Sequence, residues 1–249
     1  MSEIVYPPVI WAATTLFRVL DLKIRVEGAE RVPTSGSAVL VSNHISYLDF
    51  IFAGYAAHSS RRLVRFMAKK EVFDHPISGP LMRNMRHIPV DREAGAGSYA
   101  AALRALKDGE VVGVFAEGTI SRSFTVKEIK SGAVRMAAAT GSPLIPIALW
   151  GTQRLWTKGR PRKLLQRHIP ITILVGEPLH PKRGDDMAVH TTELRTRMIE
   201  LLDRAQRDYP EIPPGVWWQP AHLGGTAPTP EEAEEMDARE AAARTAAAE

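Results

Sequence analysis

A chain of 249 residues, 45% hydrophobic and 24% charged, is long enough to bury one sizeable core, and this balance excludes a disordered chain, a collagen-like chain and a multi-span membrane protein. It has no cysteine, which excludes a disulfide framework, a thiolate zinc site, an iron–sulfur cluster and a cysteine nucleophile. The net charge of +4 hides an asymmetry: residues 226–249 hold seven acidic and two basic residues, leaving 30 basic and 21 acidic residues, or +9, on residues 1–225. Such a basic body calls for an anionic partner: nucleic acid, an anionic lipid surface or a phosphorylated substrate.

Residues 4–17 carry no charge until Arg18 interrupts, a run shorter than the roughly 18 apolar residues a bilayer span needs. With Glu3 in place of a basic start and no small-residue cleavage site, no signal peptide is expected. Pro7 and Pro8 can open a helix here, and Val9, Ile10, Trp11, Ala13, Leu16, Phe17 and Leu20 cover most of its circumference. That pattern fits either a core helix or one lying in the membrane interface with Trp11 and Arg18 at headgroup depth.

Residues 22–27 alternate apolar and charged side chains at period two, as a half-buried strand does. After the Pro33-Thr-Ser-Gly36 turn, short apolar runs at 37–41, 63–67, 87–90, 111–116, 144–150 and 171–175 predict six further strands. Helical stretches fall at 98–107, 127–139 and 192–207. This alternation predicts an α/β domain over residues 1–220, with a mixed, largely parallel sheet of about seven strands flanked by helices and an apolar N-terminal helix over residues 1–20. From Tyr209 the chain becomes rich in proline and glycine, and residues 221–249 read as an acidic, Ala-rich tail, either a frayed helix or disordered.

The sequence contains no G-x-S-x-G elbow, no H-E-x-x-H and no dinucleotide fingerprint after a strand. Gly113 and Gly118 have phosphate-loop spacing, but Thr119 and Ile120 follow instead of Lys and Ser/Thr, which argues against a nucleoside triphosphate site. Two segments carry chemistry. In the first, His44 and Asp49 lie five residues apart; within one helix they would be roughly 140° out of phase. They can meet if His44 occupies a strand-to-helix turn and Asp49 the first helical turn, with Ser46 as N-cap. A carboxylate on one imidazole nitrogen fixes the tautomer and raises the basicity of the other, as a general base requires. The same spacing also fits a helix-capping Asp49 beside a satisfied core histidine. In the second segment, a strand runs into Glu117, Gly118 and Thr119, with Ser121 and Ser123 around Arg122. Hydroxyls, backbone amides and a guanidinium suit a phosphate monoester, although a capped polar loop reads alike.

Together these segments resemble the lysophosphatidic acid (1-acylglycerol-3-phosphate) acyltransferase family over about residues 25–180. Asn43-His44-x4-Asp49 matches its N-H-x4-D box, and Phe115-Ala116-Glu117-Gly118-Thr119 is similar to its F-P-E-G-T-R-S box. Ala68-Lys69-Lys70-Glu71-Val72-Phe73, Met85 through Arg92, and Pro143-Leu144-Ile145-Pro146 match three further blocks, in family order. Ala116 replaces the usual proline, and Ile120-Ser121 displace the arginine that normally follows E-G-T to Arg122.

The resemblance implies a glycerol-3-phosphate-acyltransferase-like fold. It also implies acyl transfer from an acyl thioester, carried by CoA or acyl-carrier protein, to the sn-2 hydroxyl of lysophosphatidic acid. His44 is then the general base and Asp49 its orienting partner. Arg92 and Arg122, with Thr119, Gly118 and Lys69 or Lys70, would hold the substrate phosphate. Glu117 would accept hydrogen bonds from glycerol hydroxyls or position neighbouring groups. No cofactor, metal or nucleic acid is expected; the partners are the lysophospholipid, the acyl donor and an anionic membrane surface, with the enzyme peripheral or monotopic on the cytoplasmic face. Rival readings are acyl transfer to glycerol 3-phosphate, another lysophospholipid or a glycolipid, acyl-ester hydrolysis, and a non-catalytic membrane-surface protein.

Overall fold

The computed structural model describes residues 4–91, 95–210 and 213–246. The alternating segment and all six apolar runs form strands: β1 (Lys23–Glu27), β2 (Ala38–Ser42), β3 (Val64–Lys69), β4 (Ile88–Val90), β5 (Val111–Val114), β6 (Leu144–Trp150) and β7 (Pro170–Val175). They form one sheet in the order β1-β7-β6-β2-β5-β3-β4. Strands β6, β2, β5, β3 and β4 are mutually parallel, while β7 runs antiparallel to β6 and β1 parallel to β7. The sheet is therefore mixed and largely parallel, as expected.

The helices are α1 (Tyr6–Val19), α2 (Asp49–Tyr55), α3 (Lys70–Asp74), α4 (Ser78–Asn84), α5 (Gly95–Lys107), α6 (Gly132–Thr140), α7 (Met187–Arg207) and α8 (Pro230–Ala246). Alternate residues of each buried strand face opposite layers. Val39 and Val41 of β2 pack in the layer holding Ala102, Leu106, Val134, Met136, Leu194 and Met198 of α5, α6 and α7. Ala38 and Leu40 face Phe17 of α1 and Phe52 and Ala53 of α2. β2 and β6 are buried along their whole lengths because helices cover both faces.

α5 starts at Gly95, ahead of the expected residue 98, and α6, α7 and α8 differ from expectation for local reasons. α6 starts at Gly132 rather than at residue 127, because the Lys127 and Lys130 amides donate to Glu117 and to the Ala116 carbonyl instead of entering a helix. α7 starts five residues before Thr192, where the Asp186 side chain caps it by accepting from Ala188 N at 2.8 Å. The tail, open between a frayed helix and disorder, contains α8, which is seated on the body through Asp237 and Glu240.

The N-terminal helix packs one side into the core and leaves another exposed. Phe17 is buried and its ring stacks on Phe52 at 4.9 Å, whereas Trp11 is 70% exposed. No helix among the described residues is long and apolar enough to cross a membrane.

His87, at the entry to β4, is buried and accepts a hydrogen bond from Phe66 N at Nδ1, 3.0 Å away. Burial and the nearby Arg65 charge push its imidazole down to about 4. The unfolded chain therefore binds a proton that the folded chain refuses between pH 6.5 and 4. The His87 contribution to stability should be complete above pH 6.5 and fall by up to about 3 kcal/mol as pH drops through that window. In urea denaturation across pH 4–7, the stability of the wild type relative to His87→Asn should fall as pH drops below 6.5. A difference that stays constant with pH would remove His87 as a titrating group.

Candidate active site

The parallel strands β2, β5, β3 and β4 end at one edge of the sheet, and β2 and β5 are neighbours there. In open α/β sheets such carboxyl ends carry the ligand sites. His44 follows β2 in a turn, and Asp49 opens α2. Their side chains meet, with His44 Nδ1 3.0 Å from Asp49 Oδ2. Asp49 is fully buried. Its Oδ2 also accepts from Ile45 N at 2.6 Å and Ser46 N at 2.7 Å, and its Oδ1 accepts from Thr152 Oγ1 at 2.7 Å. With the carboxylate engaged by donors on every side, the network assigns the ring proton of His44 to Nδ1. Nε2 is left as the basic nitrogen, on a side chain that is still 21% exposed. Ser46 does not cap α2 as expected. Its hydroxyl accepts from Leu48 N and donates to the Trp156 carbonyl at 2.6 Å, tying the turn to the loop after β6.

Packing holds the ring as firmly as hydrogen bonding does. The His44 imidazole stacks on Phe115 at 4.4 Å, and Phe115 stacks on Phe66 at 5.9 Å. The role of Gly113 lies here rather than in a phosphate loop: a Cβ on it would come within 2.4 Å of the Phe66 ring. Asn43 joins the ends of β2 and β6 by two backbone bonds to Leu149, donating at 3.0 Å and accepting at 2.7 Å.

Glu117 couples the two chemistry-bearing segments. Its Oε1 accepts from His44 N at 2.8 Å and its Oε2 from Lys127 N at 3.0 Å. Burial pushes this carboxyl up to about 8; the Lys127 and His44 amides oppose the rise and the Asp49 charge adds to it. Both oxygens are occupied by backbone amides, so Glu117 holds the His44 turn in place. Gly118 follows with φ +73°, a left-handed turn open to glycine, and Thr119 is half-buried beside it.

The remaining expected residues separate. Ser121 and Ser123 do not flank a ligand: both are buried, hydrogen-bonded within the loop, and Ser121 N donates to the His44 carbonyl at 2.7 Å. Arg122 pairs with Asp237 at 3.0 Å and Glu240 at 2.6 Å of α8. Lys69 and Lys70 sit exposed where β3 passes into α3 at the same sheet edge, with Lys70 3.5 Å from Asp74. Arg92 lies outside the described residues. Thr152, Lys127 and Lys158 were missed. Thr152 reaches Asp49 across 103 residues of sequence, and Lys127 and Lys158 both contact Asp237, at 2.8 and 2.7 Å. No sequence spacing signals such contacts. Among the described residues no cluster of three or more side chains suited to a metal occurs.

Comparison with known proteins agrees with this layout. Residues 23–150, which include both segments, match the acyltransferase family model. The chain is 31% identical over 198 residues to a chloroplastic 1-acyl-sn-glycerol-3-phosphate acyltransferase of Arabidopsis thaliana, covering 78% of this chain and 52% of that one. It is 30% identical over 200 residues to the 1-acyl-sn-glycerol-3-phosphate acyltransferase of Bacillus subtilis, covering 78% and 92%. The chain thus spans about half of the Arabidopsis relative and nearly all of the bacterial one. The crystal structure of the 1-acyl-sn-glycerophosphate acyltransferase PlsC from Thermotoga maritima shares the fold, with TM-score 0.68 at 24% identity over 82% of this chain and 81% of that one.

Proposed function

This chain belongs to the acyltransferase family, and from that premise we propose that it transfers a fatty acyl group from an acyl thioester to the sn-2 hydroxyl of lysophosphatidic acid, giving phosphatidic acid. The observation that carries the chemistry is the His44–Asp49 pair, with its Nδ1 anchored and its Nε2 available. In this reading His44 Nε2 takes the hydroxyl proton as the oxygen attacks the thioester carbonyl. Asp49 stabilises the imidazolium that results. The tetrahedral intermediate collapses by breaking the carbon–sulfur bond, and the imidazolium returns its proton to the departing thiolate. No side chain forms a covalent intermediate. The acceptor phosphate falls to Arg92, Arg122, Thr119, the Gly118 turn and Lys69 or Lys70. The names of the relatives support this acceptor. Product analysis with labelled acyl-CoA or acyl-carrier protein and a panel of lysolipids, glycerol 3-phosphate and water tests the reading. Labelled phosphatidic acid is expected as the main product; free fatty acid as the main product would make the chain a hydrolase.

The enzyme would act from the membrane surface, on the cytoplasmic face, without spanning it. In support, Trp11 and Val19 of α1 and Ile77 next to α4 are exposed, and the two helices are joined through a shared apolar cluster of Val9, Ile10 and Met82. Trp11→Ala/Ile77→Ala should weaken binding to anionic vesicles by at least about tenfold, since each side chain loses membrane burial. The melting temperature should hardly change, because neither side chain is buried. Undiminished vesicle binding would refute this docking face.

A further inference from the structure

The three cations that meet α8 are also the three nearest neighbours, along the chain, of groups that hold the His44 turn. Arg122 follows Ser121, whose amide donates to the His44 carbonyl. Lys127 donates its own amide to Glu117, the carboxyl that also holds His44 N. Lys158 follows Thr157, whose hydroxyl donates to the Ile45 carbonyl at 2.6 Å. Their side chains converge on two carboxylates. Asp237 takes Arg122, Lys127 and Lys158 at 3.0, 2.8 and 2.7 Å, and Glu240 takes Arg122 and Lys158 at 2.6 and 2.8 Å.

The cluster is well shielded: the Arg122 side chain is only 11% exposed. Burial works against a charged Asp237, yet the bonds from Lys127, Lys158 and Arg122 prevail and hold its carboxyl down at about 2. By contrast, the rest of α8 is loosely attached. Ala233 is its one buried residue among those described, and the other acids of its first two turns face outward. A helix held mainly by one ion-pair cluster can leave when another anion satisfies the same cations. Two carboxylates carry the charge of one phosphate monoester dianion, and such oxygens suit a guanidinium and two ammonium groups.

We propose that the Arg122–Lys127–Lys158 cluster is a phosphate-monoester site, with Asp237 and Glu240 of α8 occupying it as an in-chain stand-in that the ligand displaces. The acceptor headgroup and the 3′-phosphate of a CoA donor offer the same chemistry. The inference rests on the reading that the site handles phosphorylated substrates, and it turns α8 from a passive tail into a competitor for them.

The test uses the full chain and two probes, glycerol 3-phosphate and CoA, against glycerol and sodium chloride at matched ionic strength. Amide hydrogen exchange of α8 in the wild type should accelerate with the probe that binds and not with the controls. Asp237→Asn/Glu240→Gln should melt at a lower temperature without ligand, recover that loss with the probe, and bind it about tenfold more tightly. A response to glycerol 3-phosphate alone assigns the cluster to the acceptor, and one to CoA alone assigns it to the donor. Unchanged exchange of α8 at saturating probe, or a double variant that binds both probes no more tightly, overturns the proposal. Should the double variant not fold, the wild-type exchange decides. Absence of acyl transfer to lysophosphatidic acid would instead sink the acceptor assignment, and the exchange experiment reads phosphate binding independently of it.

Discussion

Replacing His44 by alanine should reduce kcat by about 10²–10⁴-fold while leaving the protein folded, because a positioned general base contributes on that order. The ring is partly exposed and lies outside the main core, so its loss uncovers only the Phe115 face it stacks on. Asp49→Asn should be nearly as damaging to turnover but mild for the fold. Three donors converge on Oδ2, so an asparagine can keep its oxygen there and turn its amide toward Thr152 Oγ1, which can accept in place of donating. The geometry survives, while the negative charge that supports the imidazolium is lost. More than a tenth of wild-type kcat in folded His44→Ala would remove His44 as the base.

Glu117 should show the second large effect, on stability as well as turnover. Glu117→Ala leaves the amides of His44 and Lys127 without an acceptor, each at about 1–3 kcal/mol, and frees the turn that carries the base. Glu117→Gln can satisfy only one of the two amides, since its NH2 must face the other. The pH dependence runs opposite to that of His87. Between pH 4.5 and about 8 the folded chain keeps a proton on Glu117 that the unfolded chain has released, so the Glu117 contribution to stability falls as pH rises through this window. Denaturant titrations at pH 5 and 8 should show the wild type losing stability relative to Glu117→Gln between the two. An equal fall in both proteins would place the titration elsewhere.

Central strands such as β2 and β6 are legible because burial on both faces writes them as apolar runs, and the edge strand β1 because its half-burial writes an alternation. The His44–Asp49 contact was legible because helical phase excludes it within a helix and allows it across a turn. What sequence could not supply was every contact made across the fold. Thr152 on Asp49 and Lys158 on Asp237 carry no periodicity. The order of α8 is not legible because its Ala/Glu composition lacks an apolar face, and its anchor is charge complementarity with a loop more than 100 residues earlier. The start of α6 was misplaced for a related reason: the amides that would extend it are engaged on Glu117 and Ala116.

The position of the transferred acyl chain tests the central claim most directly. Wild-type protein is incubated with 1-acyl lysophosphatidic acid and a labelled acyl thioester, and the lipid product is cleaved with a phospholipase specific for the sn-2 ester. Label should enter phosphatidic acid and be released quantitatively from the sn-2 position, and His44→Ala should yield none of this product above background. Label recovered only as free fatty acid, or on an acceptor without phosphate, would contradict it.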